Sequence, residues 1–294
     1  MIQKRWIGCG LALLTMGCSP VKPPPSPTPQ TQAASQKVPP PAAIPAAAQI
    51  EAPVVTNVPV ASGHPITSPR HISIEAAGIL LDGIAFDSRT HRLEVADQPS
   101  GPGSQWADSQ SAGRARHGIA AINAGFFTPE GAPLGLVVSA GTVRGGWNGA
   151  SSLGSAVWYV DGGGRSAITR REKLGSASAR RMSELIQAGP LLVENRSPVG
   201  GLDNIKSSPR TVLLWDGGTR WMMARSGACT LQQISQALAG ASPAGWPVAT
   251  ALNFDGGRSA EIWISDQVTG GGAFTRPIWN KPVRNFLVLK PVSP

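Results

Sequence analysis

The sequence predicts an α+β fold: a single sheet-rich domain with few covering helices, behind a disordered proline-rich tether. Three observations predict it. Apolar runs of strand length recur between Gly, Pro, Asp and Asn clusters, as short strands joined by turns require. Only one segment carries a full set of helix start and stop signals. The prolines are uneven, with 14 of 27 lying between Pro20 and Pro69, which confines the packed core to the residues beyond them. Across 294 residues, 26 Lys plus Arg face 17 Asp plus Glu, with 35 Gly and only 15% charged side chains. That balance excludes a coiled coil, a helical bundle and an acidic disordered protein.

Residues 1–17 read as an export signal. Lys4 and Arg5 begin it, Trp6 to Met16 is apolar but too short to span a bilayer, and Gly17 and Ser19 flank Cys18. The pattern is similar to a bacterial lipoprotein signal, cut before Cys18, which then carries lipid; Leu14 and Thr15 depart from the usual spacing, and an ordinary cleaved signal is the alternative. The expectation is an exported lipoprotein, periplasmic or on the outer surface of a bacterial envelope, anchored to a membrane at Cys18. Residues 18–69 are rich in Pro, Ala, Thr, Gln and Ser, with few large side chains to bury, and suit an extended spacer. With Cys9 lost and Cys18 acylated, Cys229 stands alone, so no internal disulfide forms. Its place just before a helix start reads as a packing residue.

Residues 70–294 form the domain. Alternation at Ile72, Ile74 and Ala76 marks a first strand, and apolar runs at Ile119–Ile122, Leu134–Val138, Ala156–Val160, Thr211–Trp215 and Phe286–Leu289 mark others. Asp216-Gly217-Gly218 between RTVLLW and TRWMMAR marks a hairpin, and DGG at 161–163 is a plain turn. Thr230 as cap, Gln233 three residues on, apolar Leu231, Ile234 and Leu238, and Gly240 as stop mark a helix. A second helix is expected from about Ala179 to Gln187.

The domain holds 22 basic and 16 acidic residues, a net +6, mostly arginines scattered singly. A nucleic-acid binder clusters such charge with interleaved aromatics, so no nucleic acid is expected as a partner. An anionic substrate or envelope is the milder implication, because the arginine fork fits phosphate or carboxylate.

Four segments are placed to carry chemistry. In AINAGFFTPEGAPLGLVV (121–138) a strand ends at Asn123 and Gly125, whose small neighbours admit a ligand. QAGPLLV (187–193) breaks at Gly189-Pro190 before an apolar run. SSPRTVLLW (207–215) puts Arg210 at the mouth of a strand. ATALNFDGGRSAEIWI (249–264) delivers Asn253 and Asp255 into Gly256-Gly257, then Arg258 and Ser259. There the glycines expose N–H groups to an anion, and Asp255 can orient a hydroxyl, take a proton or bind a cation. Each alone also reads as an ordinary strand end or turn, and the last as an Asp-Gly hairpin.

In this order the segments INAGFF, PLGL, QAGPLLV, PRT, TLQQISQAL, ALNFDGG and RNFLVL resemble the phosphodiester glycosidase family, over roughly Arg70 to Leu289. The resemblance implies an α+β fold and hydrolysis of the bond between a sugar's anomeric carbon and a phosphodiester oxygen. It implies Asp255, Arg210 and Asn123 as catalytic residues, and Gly125, Gly189, Gly256, Gly257, Arg258 and Ser259 as substrate-binding. Where the family continues DGG with Gly-Ser-Ser, this chain has Arg258-Ser259-Ala260, a cation for a small residue and one hydroxyl fewer. A phosphodiester is a good leaving group, so stabilising its charge, by Arg210 helped by Arg258, matters more than general-acid help. Asp255 would activate water or stabilise the cationic ring, and Glu261 is the candidate for a second carboxylate unless strand alternation turns it away.

Other chemistries have little support. His64, His71, His91 and His117 contain no close pair for zinc, with His117 a surface loop residue near the first motif. No cofactor is predicted. Asn253 and Asp255 leave a divalent cation possible, but too few acidic neighbours accompany them. The alternative function is a non-catalytic envelope module binding anionic glycans, which nine tryptophans would suit by stacking on sugars. The partner in either case is a sugar phosphodiester or anionic glycan.

Overall fold

The computed structural model describes residues 68–292. The export signal, Cys18 and all of the tether before residue 68 lie outside the described residues. Within them the chain forms three antiparallel sheets and four short helices.

The first sheet has seven strands, in the order Arg70–Ala76, Ile79–Asp87, Arg220–Ser226, Thr211–Trp215, Thr250–Asn253, Leu191–Glu194 and Ser197–Pro198. The second has five: Ala273–Thr275, Ile262–Ile264, Ala120–Asn123, Asn285–Pro291 and His91–Asp97. The third has five: Thr142–Arg144, Val137–Ser139, Glu184–Ala188, Ala156–Val160 and Ser166–Arg170. One core joins all three, with Leu213 and Leu252 from the first sheet, Ile122 and Leu287 from the second, and Trp158 and Ile186 from the third.

Alternation sorts the apolar runs between layers. In Thr211–Trp215, Leu213 points into the shared core while Val212 and Leu214 pack under the helix Leu231–Gly240, against Ile234 and Leu238. Both faces of that strand are therefore covered, which is why its sequence is a continuous apolar run. Cys229 is buried in the same outer layer. The expected hairpin is present, with Thr211 to Trp215 paired against Arg225 to Trp221 across the Asp216–Gly218 turn.

Three sequence readings are corrected. The segment expected as a helix from Ala179 to Gln187 is instead the end of a short helix, Ser176–Ala179, followed by the strand Glu184–Ala188. Met182, Leu185 and Gln187 favour helices, but ELIQA lies between two partner strands with all five residues buried, and that pairing overrides propensity. Nor is Asp255-Gly256 the turn of a hairpin. The strand before it belongs to the first sheet and the strand after it, Ile262–Ile264, to the second, so the turn is a crossing between sheets. The run Leu134–Val138 is strand only from Val137.

Candidate active site

The four sequence segments meet where strands of the first and second sheets end together. The Asp255 N–H donates to the Ala124 carbonyl at 2.9 Å, and the Phe254 N–H to Thr211 at 2.8 Å. The Asn253 N–H donates to Pro190, and the Gly189 N–H to Asn253, both at 3.1 Å. Asn123 knots the junction. Its amide donates to the Asp255 carbonyl at 2.7 Å, while its oxygen accepts from the Thr211 hydroxyl at 2.6 Å and the Glu261 N–H at 3.0 Å. Two glycines are dictated by crowding. A Cβ on Gly256 would lie 2.8 Å from the Pro209 carbonyl oxygen, and one on Gly189 would collide with that of Ser152, at a backbone φ of +153°.

Beside this junction opens a cleft of about 920 Å³. Arg210, Asn253, Asp255, Gly256, Gly257 and Arg258 line it, with Lys206 and Asp203 on the loop opposite and Phe126, Leu153 and Leu231 as apolar wall. Arg210 is buried, donating from Nε to the Cys229 carbonyl at 3.2 Å and from Nη2 to the Lys206 carbonyl at 2.6 Å. It forms no ion pair with any carboxylate among the described residues, and burial pulls its pKa below the ordinary guanidinium value. An always-charged group so held is a standing demand for an anion. Burial pushes the Asp255 carboxyl up to about 6, against the opposing pull of Ser259, the Gly256 N–H and Lys206. Asn253 is 3% exposed; its Nδ2 donates to the Gly189 carbonyl at 3.0 Å, and its Oδ1 is buried without a partner. The donor role at Gly189 fixes which end of the amide is free.

The phosphodiester glycosidase family model matches residues 116–290, spanning every motif of the cleft. The chain belongs to the phosphodiester glycosidase family. No curated protein matches it. Among solved structures it is similar to the catalytic domain of zebrafish N-acetylglucosamine-1-phosphodiester alpha-N-acetylglucosaminidase auto-inhibited by its pro-peptide. That likeness has a TM-score of 0.51 at 16% identity, covering 75% of this chain and 81% of that one. It is also similar to a Burkholderia pseudomallei protein classed provisionally as exported, with a TM-score of 0.50, 14% identity, and 72% and 74% of the two chains covered. At these identities the likeness is one of fold. Membership in the family supports hydrolysis of phosphodiester-linked sugars.

In this glycosidase domain the expected residues fall into two groups. Arg210, Asp255, Gly256, Gly257 and Arg258 line the cleft, whereas Asn123, Gly125 and Gly189 sit behind its wall. Gly125 donates its N–H to Asn285 at 2.7 Å, and Ser259 supports the Asp255 carboxyl. Glu261 is turned away. It faces Arg276 at 2.8 Å and accepts from the Ser109 N–H at 3.1 Å, outside the cleft. His117 lines a separate cavity beside Arg114 and Trp263. Among the described residues no three His, Cys, Asp or Glu side chains cluster to hold a metal. Lys206 and Asp203 carried no sequence signal of their own, and Thr211 and Asn285, though inside the PRT and RNFLVL segments, carried none for these roles, because the partners are remote in the chain.

Proposed function

We propose that this domain hydrolyses the bond between a sugar's anomeric carbon and a phosphodiester oxygen in envelope or extracellular glycans. The observation that carries the reading is Arg210, a buried cation without a carboxylate partner, on the same cleft as a carboxyl raised to about 6. The leaving phosphate gains charge as the glycosidic bond breaks, and Arg210 offsets it where solvent is scarce. Arg258, whose Nε and Nη2 are held by the Trp279 carbonyl at 3.2 and 3.0 Å, adds a second cation. Ionised Asp255 activates water or stabilises the cationic ring. Asn123 positions Asp255 through its main chain. The alternative, a module that binds glycans without cleaving them, leaned on tryptophans. None of the described ones lines the cleft, whose aromatic side chains are Phe126 and Phe254.

The test is release of free sugar from N-acetylglucosamine phosphodiesters by the purified protein. Arg210→Gln should lower kcat by about 10²–10³-fold and Asp255→Asn by about 10²–10⁴-fold. Full turnover by both variants would refute the assigned roles, and retention without product would favour the binding module. Export under the 1–17 leader and lipidation of Cys18 complete the proposal; labelled fatty acid should be lost in Cys18→Ala.

A further inference from the structure

The three most exposed large apolar side chains of the described domain are Ile278 at 95%, Ile205 at 87% and Trp279 at 63%; no other exceeds 55%. All three lie on loops that adjoin the cleft. Ile205 projects from the loop whose Leu202, Asp203 and Lys206 line the cleft. Ile278 and Trp279 belong to the loop whose Trp279 carbonyl holds Arg258 on the cleft's other wall. Lys206, Arg258 and Lys281 accompany them, and none of these cations has a carboxylate within ion-pair distance among the described residues. Asp203 is the one acidic residue on these two loops, and its carboxylate accepts the N–H groups of Ile205 and Lys206 at 2.9 and 3.3 Å.

We propose that this rim docks the domain onto an anionic lipid surface, with Ile205, Ile278 and Trp279 entering the interface and Lys281 facing the headgroups. Exposed isoleucine and tryptophan side chains beside a cation with no carboxylate partner are a composition that interfacial binding uses. The docking does not rest on the hydrolysis reading, since it concerns the outer rim and not the groups inside.

The experiment is vesicle co-sedimentation of the full chain carrying Cys18→Ser, so that no acyl chain contributes. Vesicles of phosphatidylcholine alone are compared with vesicles containing phosphatidylglycerol. Binding is expected to the anionic vesicles and to weaken with salt. Lys281→Ala should weaken it by about fivefold, and the double variant Ile205→Ser, Ile278→Ser should abolish it with thermal stability and turnover of a small soluble diester unchanged. Equal vesicle binding by parent and double variant would overturn the proposal, as would no binding by the parent. Loss of soluble-diester turnover in the double variant, which would make the rim an aglycone subsite, also overturns it, and so does dissociation of a dimer on rim substitution.

Discussion

Asp255 owes its raised pKa to the wall that surrounds it. Burial strips the carboxyl of solvation, and the groups that favour its ionised form, Ser259, the Gly256 N–H and Lys206, only partly offset that loss. If the ionised carboxylate does the work, kcat/KM climbs as pH rises through about 6, the value burial imposes. A profile of rate against pH from 4.5 to 8 should show that acid limb; a rate falling above pH 6 would instead make Asp255 a proton donor. How far these residues were legible depends on where their partners lie. Arg210 and Asp255 stand out in sequence as polar groups at strand mouths beside Pro and Gly. The free oxygen of Asn253 does not, because what leaves it free is the Gly189 carbonyl, which occupies its Nδ2 from a distant segment. Thr211 and Asn285 lie in the quoted PRT and RNFLVL segments, but the groups they bind were illegible for the same reason.

One glutamine organises an entire wall of the cleft. Gln187, at the end of the strand Glu184–Ala188, accepts from the N–H groups of Leu136 and Asn148 at 3.0 and 2.9 Å. It also donates to the carbonyls of Asn148 and Gly154, both at 2.8 Å. The segment it holds carries Ser152 and Leu153 to the cleft. Gln187→Ala leaves buried donors and acceptors unmatched, at a cost of about 2–4 kcal/mol in urea unfolding, and should raise KM more than it lowers kcat. Element by element, legibility followed locality. The helix Leu231–Gly240 was readable because its reciprocal cap is local, Thr230 accepting from the Gln233 N–H at 3.1 Å and Gln233 from the Thr230 N–H at 2.9 Å. The helix Ser109–Ala115 gave no signal; SQSAGRA has no apolar stripe, and its Gly113 is small because the Trp263 ring packs where a Cβ would be. ILLDGIAFD, the strand Ile79–Asp87, is buried on both faces along most of its length and shows no period of two. The Asp255 turn reads identically whether it closes a hairpin or crosses between sheets, since only the strands' remote partners differ.

At the scale of the whole molecule, Glu184 fastens two sheets. From the third sheet it accepts the Val95 N–H of the second at 2.9 Å and the Ala140 N–H at 3.0 Å, and burial raises its pKa to about 7. The unfolded chain ionises this group near pH 4.5, so between there and about 7 the unfolded state holds fewer protons than the folded one. Its contribution is therefore complete below pH 4.5 and is lost as pH rises through 7. Chemical denaturation at pH 5 and pH 8 should find the protein less stable at the higher pH, with a smaller difference in Glu184→Gln; an unchanged difference would remove Glu184 as its source. The sheets also separate what must stay intact from what can be altered. The Asp216–Gly218 turn lies at the end of its strand opposite Arg210, with Gly217 and Gly218 open to solvent. An affinity sequence spliced there would attach the protein to a support by its back, leaving open the mouth of the cleft that a handle near residue 256 would obstruct.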